Sequence, residues 1–218
     1  TDMRNHLYAF FIDSVTNRLS PAWAGGFTPY EIRNISALVD MGEKDRANFL
    51  LDYMMSCRRP ADWNHCGEVV LSDYRMGSYI GDMPHTWVGS GFVNAIRDML
   101  VTERDGKLVL LDGVPEKWVR DKNGVRIEKL PTYFGELNVK VRASDHKLTV
   151  TLGGNANPPN GADIVWPFPG APGRVSVDGY KWTEFDDKAC HLPSMAKEVI
   201  AEWAKNGSSR KEAQEAQK

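Results

Sequence analysis

The apolar residues of this chain change their period near residue 102, and that switch constrains the fold more than any other feature. Before it, apolar side chains return at the spacing of a helix stripe; after it they alternate, as in a strand with one face in a core. A helical first part and a strand-rich second part place the chain in the α+β class, in a multidomain arrangement. We read residues 1–104 as the helical domain and 105–204 as the strand domain. Residues 205–218 form a polar tail without an apolar stripe, expected to be disordered.

In the helical part, Leu7, Phe10, Phe11 and Val15 share one predicted helix face. Thr28-Pro29-Tyr30-Glu31 reads as a helix start, with Thr28 as cap, Pro29 at the first helical position and Glu31 closing a capping box. The stripe Ile32, Ile35, Leu38, Val39 follows. Gly42 breaks it, and Ala47, Leu50, Leu51, Met54, Met55 resume it, which predicts a helical hairpin. A last helix begins near 84–87 and carries Val88, Phe92, Ile96, Met99 and Leu100. Between the last two helices lies a segment of about 25 residues, Arg58 to Asp82. Loops of that length inside a compact domain usually carry function.

In the strand part, 107–114, 125–130, 137–142, 147–152, 164–168 and 174–177 read as short strands, with turns at Asp145–His146 and Asp178–Gly179. Their regular spacing suggests a β-sandwich. Residues 193–203 fit a helix through Met195, Val199, Ile200 and Trp203, or a strand through Val199, Ala201 and Trp203. Trp118, Trp166 and Trp182 are expected in the sandwich core.

Composition narrows the function. The chain has 27 basic and 29 acidic side chains, a formal net charge of −2, so neither nucleic acid nor an anionic membrane is called for as partner. No apolar run approaches the length of a membrane span. Three cysteines, Cys57, Cys66 and Cys190, contain no C-x-x-C pair and allow at most one bridge. His65, Cys66 and His85 match no zinc spacing, so no metal and no cofactor are expected. The chain starts at Thr1, not Met, without a signal-like segment, so we expect its N-terminus to have been cut or processed, or the chain to begin inside a longer protein.

The long loop holds the chemistry. It places Trp63, Asn64, His65, Cys66, Gly67, Glu68 and then Asp82, Met83, Pro84, His85, Thr86, Trp87 between two helices. Aromatic faces stack on sugar C–H surfaces, while amide, imidazole and carboxylate groups take hydroxyls, so the mixture suits a carbohydrate. Each residue also has a plainer role. Glu68 is either a reactive carboxylate or a solvated one, Asp82 either faces substrate or caps the next helix, and Trp63 and Trp87 are either sugar platforms or core.

The run G-D-M-P-H-T-W-V-G-S-G-F at 81–92 resembles the last barrel helix of the six-hairpin glycosidase superfamily. It resembles that helix in a bacterial group of factor 5/8-type-domain or glycosidase-like proteins. L-L-D-G-V-P-E-K-W at 110–118, L-P-T-Y-F-G at 130–135 and the 153–161 loop fit the same group. The resemblance covers nearly the whole chain to about Trp203. It implies the last hairpins of an (α/α)6 barrel followed by a C-terminal antiparallel β-sandwich, with the rest of the barrel upstream as the partner that completes it.

What the resemblance implies for function is glycoside hydrolysis in the full-length enzyme, inverting in outcome. Glu68 would be the general base. Trp63, Asn64, His65, Asp82, His85 and Trp87 would bind substrate, and the general acid would lie on an earlier hairpin. A periplasmic or secreted location follows from the resemblance alone. The chain by itself is then expected to be inactive and, as part of a barrel, to leave apolar faces over 30–39 and 48–55 uncovered. Two alternatives stand beside this: a non-catalytic carbohydrate-binding or interdomain module, and a glycoside phosphorylase on the same barrel.

Overall fold

The computed structural model describes residues 2–58, 62–63, 65–73 and 81–204. It is a mixed α+β protein with two compact units that divide between Leu100 and Val101. Asn64 and the 205–218 tail, both named above, lie outside the described residues.

In the helical unit, α1 spans Asp2–Asn17, α2 Asn34–Asp40, α3 Lys44–Ser56 and α4 Thr86–Leu100. A 3₁₀ turn, Pro29–Arg33, precedes α2. Thr28 caps it, its hydroxyl accepting from the Tyr30 N–H at 3.4 Å. Glu31 closes no capping box; its carboxylate instead takes two bonds from Arg18, at 2.6 and 3.1 Å. Gly42, at φ +73°, ends α2 in a Schellman turn: its N–H donates to Val39 O and that of Glu43 to Leu38 O. Ile35, Leu38 and Val39 of α2 then face Leu50, Leu51 and Met54 of α3 in a buried layer, with Ile32 from the turn.

Three features of this unit differ from the sequence expectation. The stripes over 30–39 and 48–55 are buried rather than uncovered, because the hairpin closes on itself and on α4. In α1 only Val15 is fully buried. The inward set is Tyr8, Phe11, Ile12 and Val15, an equally good helical spacing, while Leu7 and Phe10 are 62% and 74% exposed. The 58–82 segment is not one unstructured loop either. Val70–Leu71 (β2) pairs antiparallel with Gly26–Phe27 (β1), so the first part of the chain is not purely helical.

The second unit carries ten strands among its described residues: β3 Val101–Arg104, β4 Lys107–Leu110, β5 Val125–Thr132, β6 Gly135–Ser144, β7 Lys147–Gly154, β8 Ala162–Val165, β9 Arg174–Val177, β10 Tyr180–Trp182, β11 Ala189–Leu192 and β12 Glu198–Glu202. They form a six-stranded antiparallel sheet, β10-β9-β12-β7-β6-β5, and a four-stranded sheet, β11-β8-β4-β3. The larger sheet buries alternate residues, Leu137, Val139, Val141, Leu148, Val150 and Val199 among them, whereas the smaller buries Leu108, Val109 and Leu110 in a row, with Ile164 and Leu192. The smaller sheet is not wholly antiparallel, since β4 and β8 run parallel. Residues 198–202 resolve as a strand, not a helix, because β12 finds partners on both sides, β7 and β9. A short helix, α5 (Glu116–Arg120), joins β4 to β5. Trp166 is buried as expected, whereas Trp118 and Trp182 are only half-buried.

Candidate functional site

The site in the helical unit is assembled by short backbone ties. The β1–β2 pair anchors the chain just after Glu68 to the segment before Thr28, and Ser72 N–H adds a bond to Gly25 O at 2.9 Å. Glu68 N–H donates to Asp82 O at 3.0 Å, and His85 N–H to Cys66 O at 3.1 Å. These bonds bring 66–68 alongside 82–85, the stretch that leads into α4. On its other side α4 presses against the 3₁₀ turn through Gly91, where a Cβ would lie 3.0 Å from Ile32 Cγ2. That close approach sets the first turn of α4 beside Tyr30.

Glu68, Asp82 and His85 therefore meet, with one donor atom from each within 4.8 Å of the others. Glu68 Oε2 accepts from the Asp82 N–H at 3.3 Å. His85 is nearly buried (13% exposed) and its Nδ1 stands 4.0 Å from the Asp82 carboxylate, which is 84% exposed. The other ring nitrogen, Nε2, is hydrogen-bonded to the Tyr30 hydroxyl. Tyr30 and His85 thus share one hydrogen bond, with the Asp82 carboxylate beside the other ring nitrogen. Tyr30 keeps its proton: loss of hydration raises its pKa first, the Glu68 and Asp82 carboxylates raise it further, and the Arg33 cation opposes them. The Arg33 guanidinium lies 4.9 Å from the Tyr30 ring centre.

An aromatic surface borders the carboxylates. The rings of Tyr30, His85 and Trp87 meet edge to face at centroid distances of 5.2, 6.0 and 6.4 Å. Trp87 is 64% exposed and Trp63 60%, so neither is a core residue. Trp63 and His65 pair with each other, ring centres 5.3 Å apart. His65 and Cys66 also line a separate apolar cavity of about 320 Å³, walled by Ile32, Met54, Met55 and Phe92.

Of the residues singled out in the sequence, Glu68, Asp82, His85 and Trp87 thus share one surface, and Trp63 and His65 form a neighbouring pair in the chain. Sequence reasoning missed Tyr30 and Arg33. Tyr30 read only as the second residue of a helix start, and its contact with His85 spans 55 positions. The same gathering answers where a cation would bind. Its donors would be Glu68, Asp82 and His85, not the His65, Cys66 and His85 set considered from sequence. The 4.0 Å separation between His85 and Asp82 exceeds the roughly 3.4 Å between neighbouring ligands of a tetrahedral zinc with bonds of about 2.1 Å. The set is open, as suits carboxylates that face solvent or substrate.

No protein family matches this chain in sequence, and neither does any curated protein.

Proposed function

We propose that the helical unit is the closing part of a six-hairpin glycosidase-like (α/α)6 barrel and that its Glu68 surface binds carbohydrate, with Glu68 as general base in an inverting hydrolysis. The observation that carries this reading is the convergence of Glu68, Asp82 and His85 beside the exposed ring of Trp87. An exposed indole offers a face to sugar C–H groups, and the polar trio offers partners for hydroxyls. Glu68 is half-exposed, as a base that must reach water on the open face of a sugar has to be.

Asp82 is not the second catalytic carboxyl in this scheme. Inverting enzymes hold acid and base about 6.5–9.5 Å apart to leave room for water, whereas Asp82 and Glu68 oxygens lie within 4.8 Å. The acid comes from an upstream hairpin, so the 218-residue chain alone turns nothing over. The test is Glu68→Gln in a protein that includes the upstream hairpins. Turnover of its glycoside should fall by about 100- to 10,000-fold, the usual cost of a lost general base, with binding largely kept. Near wild-type turnover removes Glu68 from the chemistry and leaves the non-catalytic binding module as the better reading.

A further inference from the structure

The strand-rich unit has a concave site of its own. It is a cavity of about 430 Å³, within the roughly 300–1,000 Å³ range of small-ligand sites. One wall is aromatic. Trp203, just after β12, and Phe168, just after β8, meet edge to face with ring centres 5.0 Å apart at 82°. Trp166 backs Trp203 at 5.6 Å. The Trp203 indole N–H donates to Gly170 O at 3.0 Å, and its backbone N–H to His146 O at 2.8 Å. The ring is therefore set before any ligand arrives.

The rim is polar and equally well held. Arg120 of α5 lies over the Phe168 ring, 4.6 Å from its centre. Its Nε donates to Glu116 at 2.5 Å, and its terminal nitrogens reach the Asp145 carbonyl at 3.4 Å. Asp145 and His146 complete the lining with the Glu116 carboxylate.

We propose that this cavity binds one or two residues of a neutral saccharide. A sugar ring has an apolar C–H face and an edge of hydroxyls. The indole wall meets the first, and carboxylate acceptors with a guanidinium donor meet the second. Charge disfavours ionic ligands: Arg120 is already paired with the Glu116 carboxylate, which leaves little for an anion, and it covers the Phe168 face that a ligand cation would seek. Because wall and rim are held by the chain's own bonds, little ordering cost is left for binding. The lining residues named all belong to the strand-rich unit, so the inference stands whether or not the barrel reading does.

The experiment is saturation-transfer NMR on the whole chain, with methyl glucoside, galactoside, mannoside and xyloside, maltose and cellobiose as probes. We expect saturable binding of at least one. Ala171→Phe fills the cavity while removing none of the contacts above, and should weaken that binding roughly tenfold or more, a loss of about 1.4 kcal/mol. Trp203→Phe should weaken it too, and Tyr133→Ala, at an exposed position outside both sites, should leave it unchanged. Absence of transfer to every probe overturns the proposal. So does binding that is unchanged in both Ala171→Phe and Trp203→Phe, since that places the sugar outside this cavity.

Discussion

At the scale of single residues, the Glu68 surface depends on a glycine that carries no chemistry. Gly81 sits at φ +69°, and a Cβ there would run into the Glu68 side chain. Any other residue would both strain the backbone and push the carboxylate away. Gly81→Ala should therefore cost about 1–2 kcal/mol for the left-handed backbone, plus whatever moving Glu68 adds, read as a lower urea midpoint with an unchanged slope. An unaltered midpoint would mean that the 81–82 backbone does not press on Glu68. The sequence shows Glu68, Asp82 and His85 as members of one loop, since residues near in the chain tend to stay near in space. It cannot show Tyr30, because the hydroxyl that orients His85 arrives from a turn 55 positions earlier. Nor does a glycine in a sequence announce which side chain its missing Cβ makes room for.

At the scale of elements, legibility followed length. The hairpin β6–β7 has alternating apolar residues over 135–144 and 147–154 and reads as strands at once. The two-residue strands β1 and β2 are too short to carry any period, yet they anchor the site. The 198–202 segment satisfied two periods, and only its neighbours β7 and β9 decide between them. Cross-strand chemistry is likewise invisible along the chain. On the four-stranded sheet, Lys107 of β4 and His191 of β11 both meet Asp163 of β8, at 3.2 and 2.9 Å. The hydrogen bond that His191 Nδ1 donates to the Asp163 carboxylate raises the His191 pKa above its ordinary 6.5. Desolvation opposes it, and Asp186 supports it. A pKa raised on folding stabilises the folded state where the imidazole is charged in both states. That stability is complete below about pH 6.5, the unfolded value, and is lost as the pH rises through the higher folded value. The pair is partly exposed, so the effect is no more than about 1 kcal/mol. The gap between the denaturant midpoints of wild type and His191→Gln should be widest below about pH 6.5 and narrow as the pH rises through the folded value. A constant gap across that range would mean the imidazole charge contributes nothing.

At the scale of the whole molecule, the telling feature is the outer face of α1. Met3, Leu7 and Phe10 follow one another at helical spacing and are 84%, 62% and 74% exposed. Leu19, two residues past the helix, is 58% exposed. Scattered exposed apolar residues need no explanation, but three in a row along one helix face make a patch of the kind that seeks a cover. In the barrel we propose, the preceding hairpin is that cover. The hairpin α2–α3 has no such need, since its own stripe is already buried. Two expectations separate this from a patch without a role. The 218-residue chain should self-associate through α1, seen as a sedimentation coefficient that climbs with concentration, and Leu7→Lys with Phe10→Lys should return it to a monomer. The same pair of substitutions should change the monomer's stability by less than about 0.5 kcal/mol, as surface changes do. In a protein that includes the upstream hairpin, it should cost about 2 kcal/mol or more, because each ammonium would then be buried against apolar side chains without a partner. If the two lysines are harmless in that longer protein, α1 has no hairpin packed on it and the barrel reading of the helical unit fails.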